Sequence, residues 1–168
     1  MAREMQSAPS APSGQGDFDF LFGQWRVADR RLAVRLAGSN DWLAFDGVSA
    51  TRPILGGQAN IEDNILNSPA GTYRAAAIRA FDPAPGQWAI WWLDSRYPDS
   101  LGTPVVGRFE NGVGTFYSDD MHEGRPVRTR FLWTQVTSGA PRWEQALSAD
   151  GGTSWETNWI MNFTRTGD

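Results

Sequence analysis

Turn-forming residues punctuate this chain at short intervals, and that rhythm constrains its fold more than any other feature. Breaks fall at Gly38-Ser39-Asn40-Asp41, Gly56-Gly57, Asn67-Ser68-Pro69-Ala70-Gly71 and Asp82-Pro83-Ala84-Pro85-Gly86, where Gly, Asn, Asp and Pro supply positive φ or a fixed bend. Asn111-Gly112 is the sharpest signal, a type I′ pair joining strands predicted over 105–110 and 113–118. Further strands are expected over 42–52, 58–66, a segment ending at 81, 88–95, 127–136, 142–148 and 154–165, with loops at 96–104 and 119–124. The stretch 26–36 is ambiguous: Ala28, Leu32 and Leu36 recur by four as on a helix, whereas Leu32, Val34 and Leu36 alternate as on a strand. About ten strands with short links and no crossover helix point to an all-β, antiparallel up-and-down barrel, whose closure removes exposed edges. A ring of about eight to ten strands is wide enough to keep an internal cavity. An open two-sheet sandwich is the runner-up, and a helix-lined cone lacks the helices it needs.

The 168 residues make one domain with enough chain to bury a core without staples. Residues 1–16 carry charges but no apolar run and are expected to be a disordered tail, leaving 17–168 as the barrel domain. Without Cys there are no disulfides and no thiolate metal site. A net charge of −4, from 15 basic and 19 acidic side chains, argues against nucleic-acid or anionic-membrane partners. The longest dense apolar run, 88–93, is far too short to span a bilayer as a helix. A cytoplasmic protein is the default expectation.

Gly23-Gln24-Trp25 opens the chain's first expected strand and Arg165 closes its last. This pair resembles the signature of lipocalins and related calycin barrels. The resemblance implies a Trp plugging the closed end of the barrel with a basic side chain across its ring, and it favours the strand reading of 26–36. The preceding run Asp17-Phe18-Asp19-Phe20-Leu21-Phe22 is expected to be a short capping turn or 3₁₀ segment. Together with WAIWWLDSR, VVGRFENGVGTFYSDD and the closing strand from Trp155 to Phe163, these segments are similar to an uncharacterised bacterial family of calycin-like barrels, a domain of unknown function. That resemblance implies a fold and no reaction.

Nine Trp and nine Phe are the compositional anomaly; they fit either a wide aromatic cavity or a core filled with large side chains. Period-two alternation puts Trp88, Ile90, Trp92, Asp94 and Arg96 on one face. If that face points inward, Asp94 and Arg96 stand near a rim, where they orient a ligand or pair with each other. Trp133 joins Thr129 and Phe131, Gln145 joins Trp143 and Leu147, and Thr157 joins Trp155, Trp159, Met161 and Phe163. The leading expectation is therefore a binder of a small apolar or aromatic molecule. Trp92, Phe131, Trp133, Trp159 and Met161 would line its cavity, and Asp94, Arg96, Gln145 and Thr157 would supply polar contacts. The alternative is an isomerase, cyclase or lyase in the same cavity, with Asp94 and Arg96 as the acid–base pair and Arg79 as an electrophilic partner. Arg79, among Ala75, Ala77 and Phe81, points to solvent in the favoured reading and is an internal charge in the other.

Two further motifs read as structural. Ser148-Ala149-Asp150-Gly151-Gly152-Thr153-Ser154-Trp155 fits S-x-D-x-G-x-x-W and resembles the Asp-box of sialidases, a structural hairpin. Asp119-Asp120-Met121-His122-Glu123 gathers the only His with three acids, either as a hard-metal or acid–base cluster or, in the favoured reading, as a solvated loop. No cofactor, haem included, and no metal is expected. Trp42 and Trp91 fall opposite their inward neighbours and are candidates for a homodimer patch.

Overall fold

Residues 13–168 are described by a computed structural model. Ten antiparallel strands close into an up-and-down barrel in which every strand pairs with its sequence neighbours and the last with the first. They are β1 (Gly23–Leu32), β2 (Trp42–Ile54), β3 (Ala59–Ser68), β4 (Gly71–Asp82), β5 (Gln87–Asp94), β6 (Val105–Glu110), β7 (Val113–His122), β8 (Arg125–Thr134), β9 (Arg142–Ser148) and β10 (Glu156–Gly167). Among the described residues, helix is confined to two 3₁₀ turns, Asp19–Leu21 and Leu55–Gly57. The type I′ hairpin forms as expected, with Asn111 and Gly112 both at positive φ (52° and 78°). The ambiguous 26–36 is strand as far as Leu32. It then leaves the sheet as a loop over 33–41, where Leu36 adopts φ 55°. The largest departure from expectation is β7, which runs on to His122 opposite Arg125 and absorbs most of the supposed 119–124 loop.

One end of the barrel is plugged. Phe18 and Leu21 are fully buried there, and Phe18 meets Trp88 and Phe109 edge-on, with ring centroids 5.0 Å apart in both pairs. Trp25 lies beneath them with its indole N–H donating to the Leu21 carbonyl at 2.8 Å, so a large ring is buried with its one donor satisfied. Arg165 covers that ring at 4.2 Å and donates to the Phe22 and Phe20 carbonyls at 2.7 and 3.1 Å. The Gly of the Gly-x-Trp triplet has its own cause: at φ 117°, a Cβ on Gly23 would sit 2.5 Å from Arg165 Nη1 and 2.7 Å from the Gly167 carbonyl. The tail expected over 1–16 lies outside the described residues as far as residue 12. Residues 13–16 turn against the plug, and the Gly14 carbonyl accepts the Trp88 indole N–H at 3.1 Å.

Residues directly opposite in antiparallel strands share a face, so the registers identify the inner wall. Trp25, Trp88, Trp92, Trp133, Trp143 and Trp159 lie on it, while Trp42, Trp91 and Trp155 are outside. A ten-strand ring encloses more space than the eight-strand rings that ordinary side chains fill, and the six inward indoles occupy it. The outer Trp42 and Trp91 are half-buried, Trp42 under the Arg30 guanidinium at 5.1 Å. Trp155 packs outside against Tyr117 and Arg130, at 5.9 and 4.5 Å. Its Asp-box is a closed hydrogen-bond circuit: Ser148 Oγ donates to Asp150, whose carboxylate accepts the Ser154 amide and hydroxyl. Those donors hold the Asp150 carboxyl down at about 2. Among the described residues, no helix is long and apolar enough to cross a membrane.

Candidate functional site

The opposite end is a mouth, ringed by loops 33–41, 69–70, 95–104, 123–124 and 149–155. A cavity of about 370 Å³ opens there, within the usual range for small-molecule sites. Ile90, Trp92 and Phe131 form apolar surface within it, and Asp94, Gln145 and Arg35 stand on its wall. Tyr97, Met121, Asp120 and His122 also line it; Tyr97 and Met121 leave large apolar surfaces exposed. A hollow of about 750 Å³ exists elsewhere, along outward-facing residues of β2, β3 and β4 such as Arg52, Ile61 and Ala76, but it is outside the barrel.

Below the mouth the interior is nearly solid. Trp159 meets Trp92 and Trp143 edge-on at 5.7 and 5.3 Å, and Phe131 meets Trp143 at 4.9 Å. A void of about 20 Å³ lies there, bordered by Glu62, Arg79, Trp133 and Met161 among others, room for about one water. The expected ligand-binding residues therefore fall at two depths, with Trp92 and Phe131 bordering both spaces. Trp92, Asp94, Phe131 and Gln145 share the mouth cavity, whereas Trp133 and Met161 face the small void. Trp159 is packing between two other indoles.

Thr157 departs from the alternation that put it inside. β10 carries a bulge between Thr157 and Trp159, so Thr157 pairs with outward Ala146 while Trp159 pairs with inward Gln145. The residue in the bulge, Asn158, is fully buried, and its Oδ1 accepts the Gln145 amide at 2.8 Å. The bulge also sets Glu156 opposite inward Leu147, where its Oε1 accepts the Leu36 amide at 2.7 Å and fastens loop 33–41 to the mouth.

Charges cluster on the inner wall at two depths. Near the rim, Asp94 and Arg96 form a bidentate pair, Nε to Oδ1 at 3.0 Å and Nη2 to Oδ2 at 2.7 Å. Arg96 lies over the Tyr73 ring at 3.7 Å. Its hydrogen bonds hold the Asp94 carboxyl below the usual range, which makes Asp94 a weak base. Deeper, Arg79 is buried and not at solvent as favoured from sequence. It bonds Asn60 Oδ1 at 2.9 Å and is ion-paired with buried Glu62. Asp29, also buried, accepts the Trp159 indole N–H at 2.8 Å. Burial pushes its carboxyl up to about 6 against the pull of that bond and of Arg31.

Asp29, Arg31, Arg35, Glu62 and Asn158 were not among the sequence candidates. Asp29 and Arg31 share a period-two face with Trp25 and Val27, a signal that was present. Asp120 and His122 reach the cavity because β7 is longer than expected. Asp119 instead pairs outside with Arg128 at 3.2 Å. Among the described residues, no three His, Cys, Asp or Glu side chains converge as metal ligands.

A scan against models of protein families finds no match, and a search of curated proteins finds none either. The closed ten-strand antiparallel barrel is consistent with a calycin-like fold.

Proposed function

We propose that this barrel binds a small ligand with an apolar or aromatic body at its open mouth, and that it belongs to the calycin-like family its end motifs resemble. The observation that carries the binding role is the 370 Å³ cavity over Trp92, Ile90 and Phe131, with Gln145 and Asp94 beside them. Aromatic surface with a few fixed polar groups is the usual composition of a ligand site. The seat is shallower than a fully hollow barrel would provide, because Trp133, Trp143 and Trp159 occupy the deep interior. Acid–base catalysis by Asp94 is the weaker reading, since its carboxylate is engaged by Arg96 and is hard to protonate.

Titration with 2-naphthalenemethanol, followed by tryptophan fluorescence, tests the proposal. Saturable quenching is expected, and Thr129→Trp, which places an indole in the cavity, should abolish it while the circular dichroism spectrum persists. Absence of saturable binding, or undiminished binding in a folded Thr129→Trp variant, would remove the mouth as the site.

A further inference from the structure

Two guanidinium groups meet Tyr73 near the mouth, and a third stands on the cavity wall. Arg31 Nη1 donates to the Tyr73 hydroxyl at 2.8 Å and its guanidinium packs against the rings of Phe45 and Trp159, each at 5.0 Å. Arg96 covers the Tyr73 ring and is neutralised by Asp94. Arg35 stands on the wall of the 370 Å³ cavity, carried there by the loop that Glu156 fastens. Among the described residues, neither Arg31 nor Arg35 has a carboxylate within 4.0 Å, the reach of an ion pair. Glu156 acts on Arg35 only at longer range, its hydrogen-bonding oxygen being given to the Leu36 amide.

An arginine cannot shed its proton to escape such a position. Burial and the neighbouring Arg31 charge both disfavour the Arg35 cation, and an anion in the cavity would relieve both. A guanidinium fork matches a carboxylate in shape as well as charge. One such fork on the cavity wall, with Asp94 and Asp120 also lining it, suits a single negative charge better than a doubly charged phosphate. We propose that the mouth selects monocarboxylates with an apolar or aromatic body, the carboxylate docking on Arg35 with Arg31 behind it and the body lying over Trp92, Ile90 and Phe131. This inference rests on the mouth being the ligand site.

The test is the ratio of affinities for two probes of matched shape, 2-naphthoate and 2-naphthalenemethanol, measured by tryptophan fluorescence on the full chain. The wild type should prefer the carboxylate by about tenfold or more, as for a charge-assisted hydrogen bond. Arg35→Gln should bring the ratio near one, and Arg35→Lys should keep an intermediate preference. Arg26→Gln, on the outer face, makes the same change in net charge and should leave the ratio intact. A wild-type ratio near one with the alcohol still bound overturns the carboxylate assignment and spares the binding site. An unchanged ratio in Arg35→Gln overturns Arg35 as its anchor. Failure of both probes to bind overturns the site and this inference together.

Discussion

Replacing Asp29 by Asn tests whether the barrel holds a costly charge at its centre. Asp29 is 2% exposed, and its carboxyl titrates at about 6 in the fold against an ordinary 3.8. Burial is the main cause, aided by Asp46 and Glu62 and opposed by the Trp159 hydrogen bond and by Arg31. The shift is upward, so the fold prefers the neutral acid. Its stabilising effect is complete below the unfolded value near 3.8 and is lost as pH rises through 6. The shift of about two units corresponds to roughly 3 kcal/mol between those limits. Asn presents the same Oδ1 to the Trp159 indole without a charge, so it resembles the protonated state at every pH. Urea unfolding of wild type and Asp29→Asn at pH 4 and pH 7.5 reads the effect directly. The variant should gain about 2–3 kcal/mol on the wild type between the two pH values; taking the difference cancels acid effects common to both chains. A difference that stays constant, or that moves the other way, would refute the claim that a buried Asp29 charge burdens the fold.

Two more perturbations probe the framework. Glu62→Gln leaves Arg79 buried beside a neutral partner and should cost about 3–5 kcal/mol in urea unfolding. Removing both charges together, as Glu62→Leu with Arg79→Met, should cost much less, and a single variant losing under about 1 kcal/mol would contradict the buried pair. Gly23→Ala should cost about 2 kcal/mol, because the φ of 117° is strained for Ala and the new methyl displaces Arg165. An unchanged melting midpoint in that variant would show that the Arg165 clasp over Trp25 is dispensable.

The strand ladder was legible because turn chemistry is local: Asn111-Gly112 announces its hairpin whatever surrounds it. The inner faces of β5, β8 and β9 were legible by alternation for the same reason. Arg79 was not, since an arginine among alanines looks the same whether it meets water or a buried acid. Its deciding partner, Glu62, lies on the neighbouring strand and is found only through the β3–β4 register, Asn60 opposite Arg79. Thr157 failed differently. One extra residue in the β10 bulge reverses the parity of everything before it, and Asn158 carries no local mark that it is the extra one. The mouth needed both kinds of non-local information. Arg35 reaches the cavity from a segment that reads as more strand, and it stays there because Glu156, 120 residues after Leu36, is turned inward by that bulge.

The unequal ends of the barrel divide stability from the proposed ligand specificity. Closing ten strands creates an interior that needs unusually large side chains, and the inward indoles nearly fill it, leaving about 20 Å³ beside Arg79 and Glu62. Deep substitutions should therefore act first on stability, since Trp133 packs on Phe163 and Arg79, Trp143 on Trp159, and Trp159 on the Asp29 carboxylate. On the proposed reading, the groups that meet a ligand come instead from the mouth-end inward residues of β5, β8 and β9 and from the loop bearing Arg35. Aromatic content, the most conspicuous property of the sequence, is thus a consequence of barrel size. On the same reading, selectivity rests on a few polar groups at the rim: Arg35, on the loop that Glu156 fastens through Leu36, with Gln145 held by Asn158 and Asp94 by Arg96. If the mouth is the ligand site as proposed, substitutions at the rim should change the ligand while the interior packing stays the same.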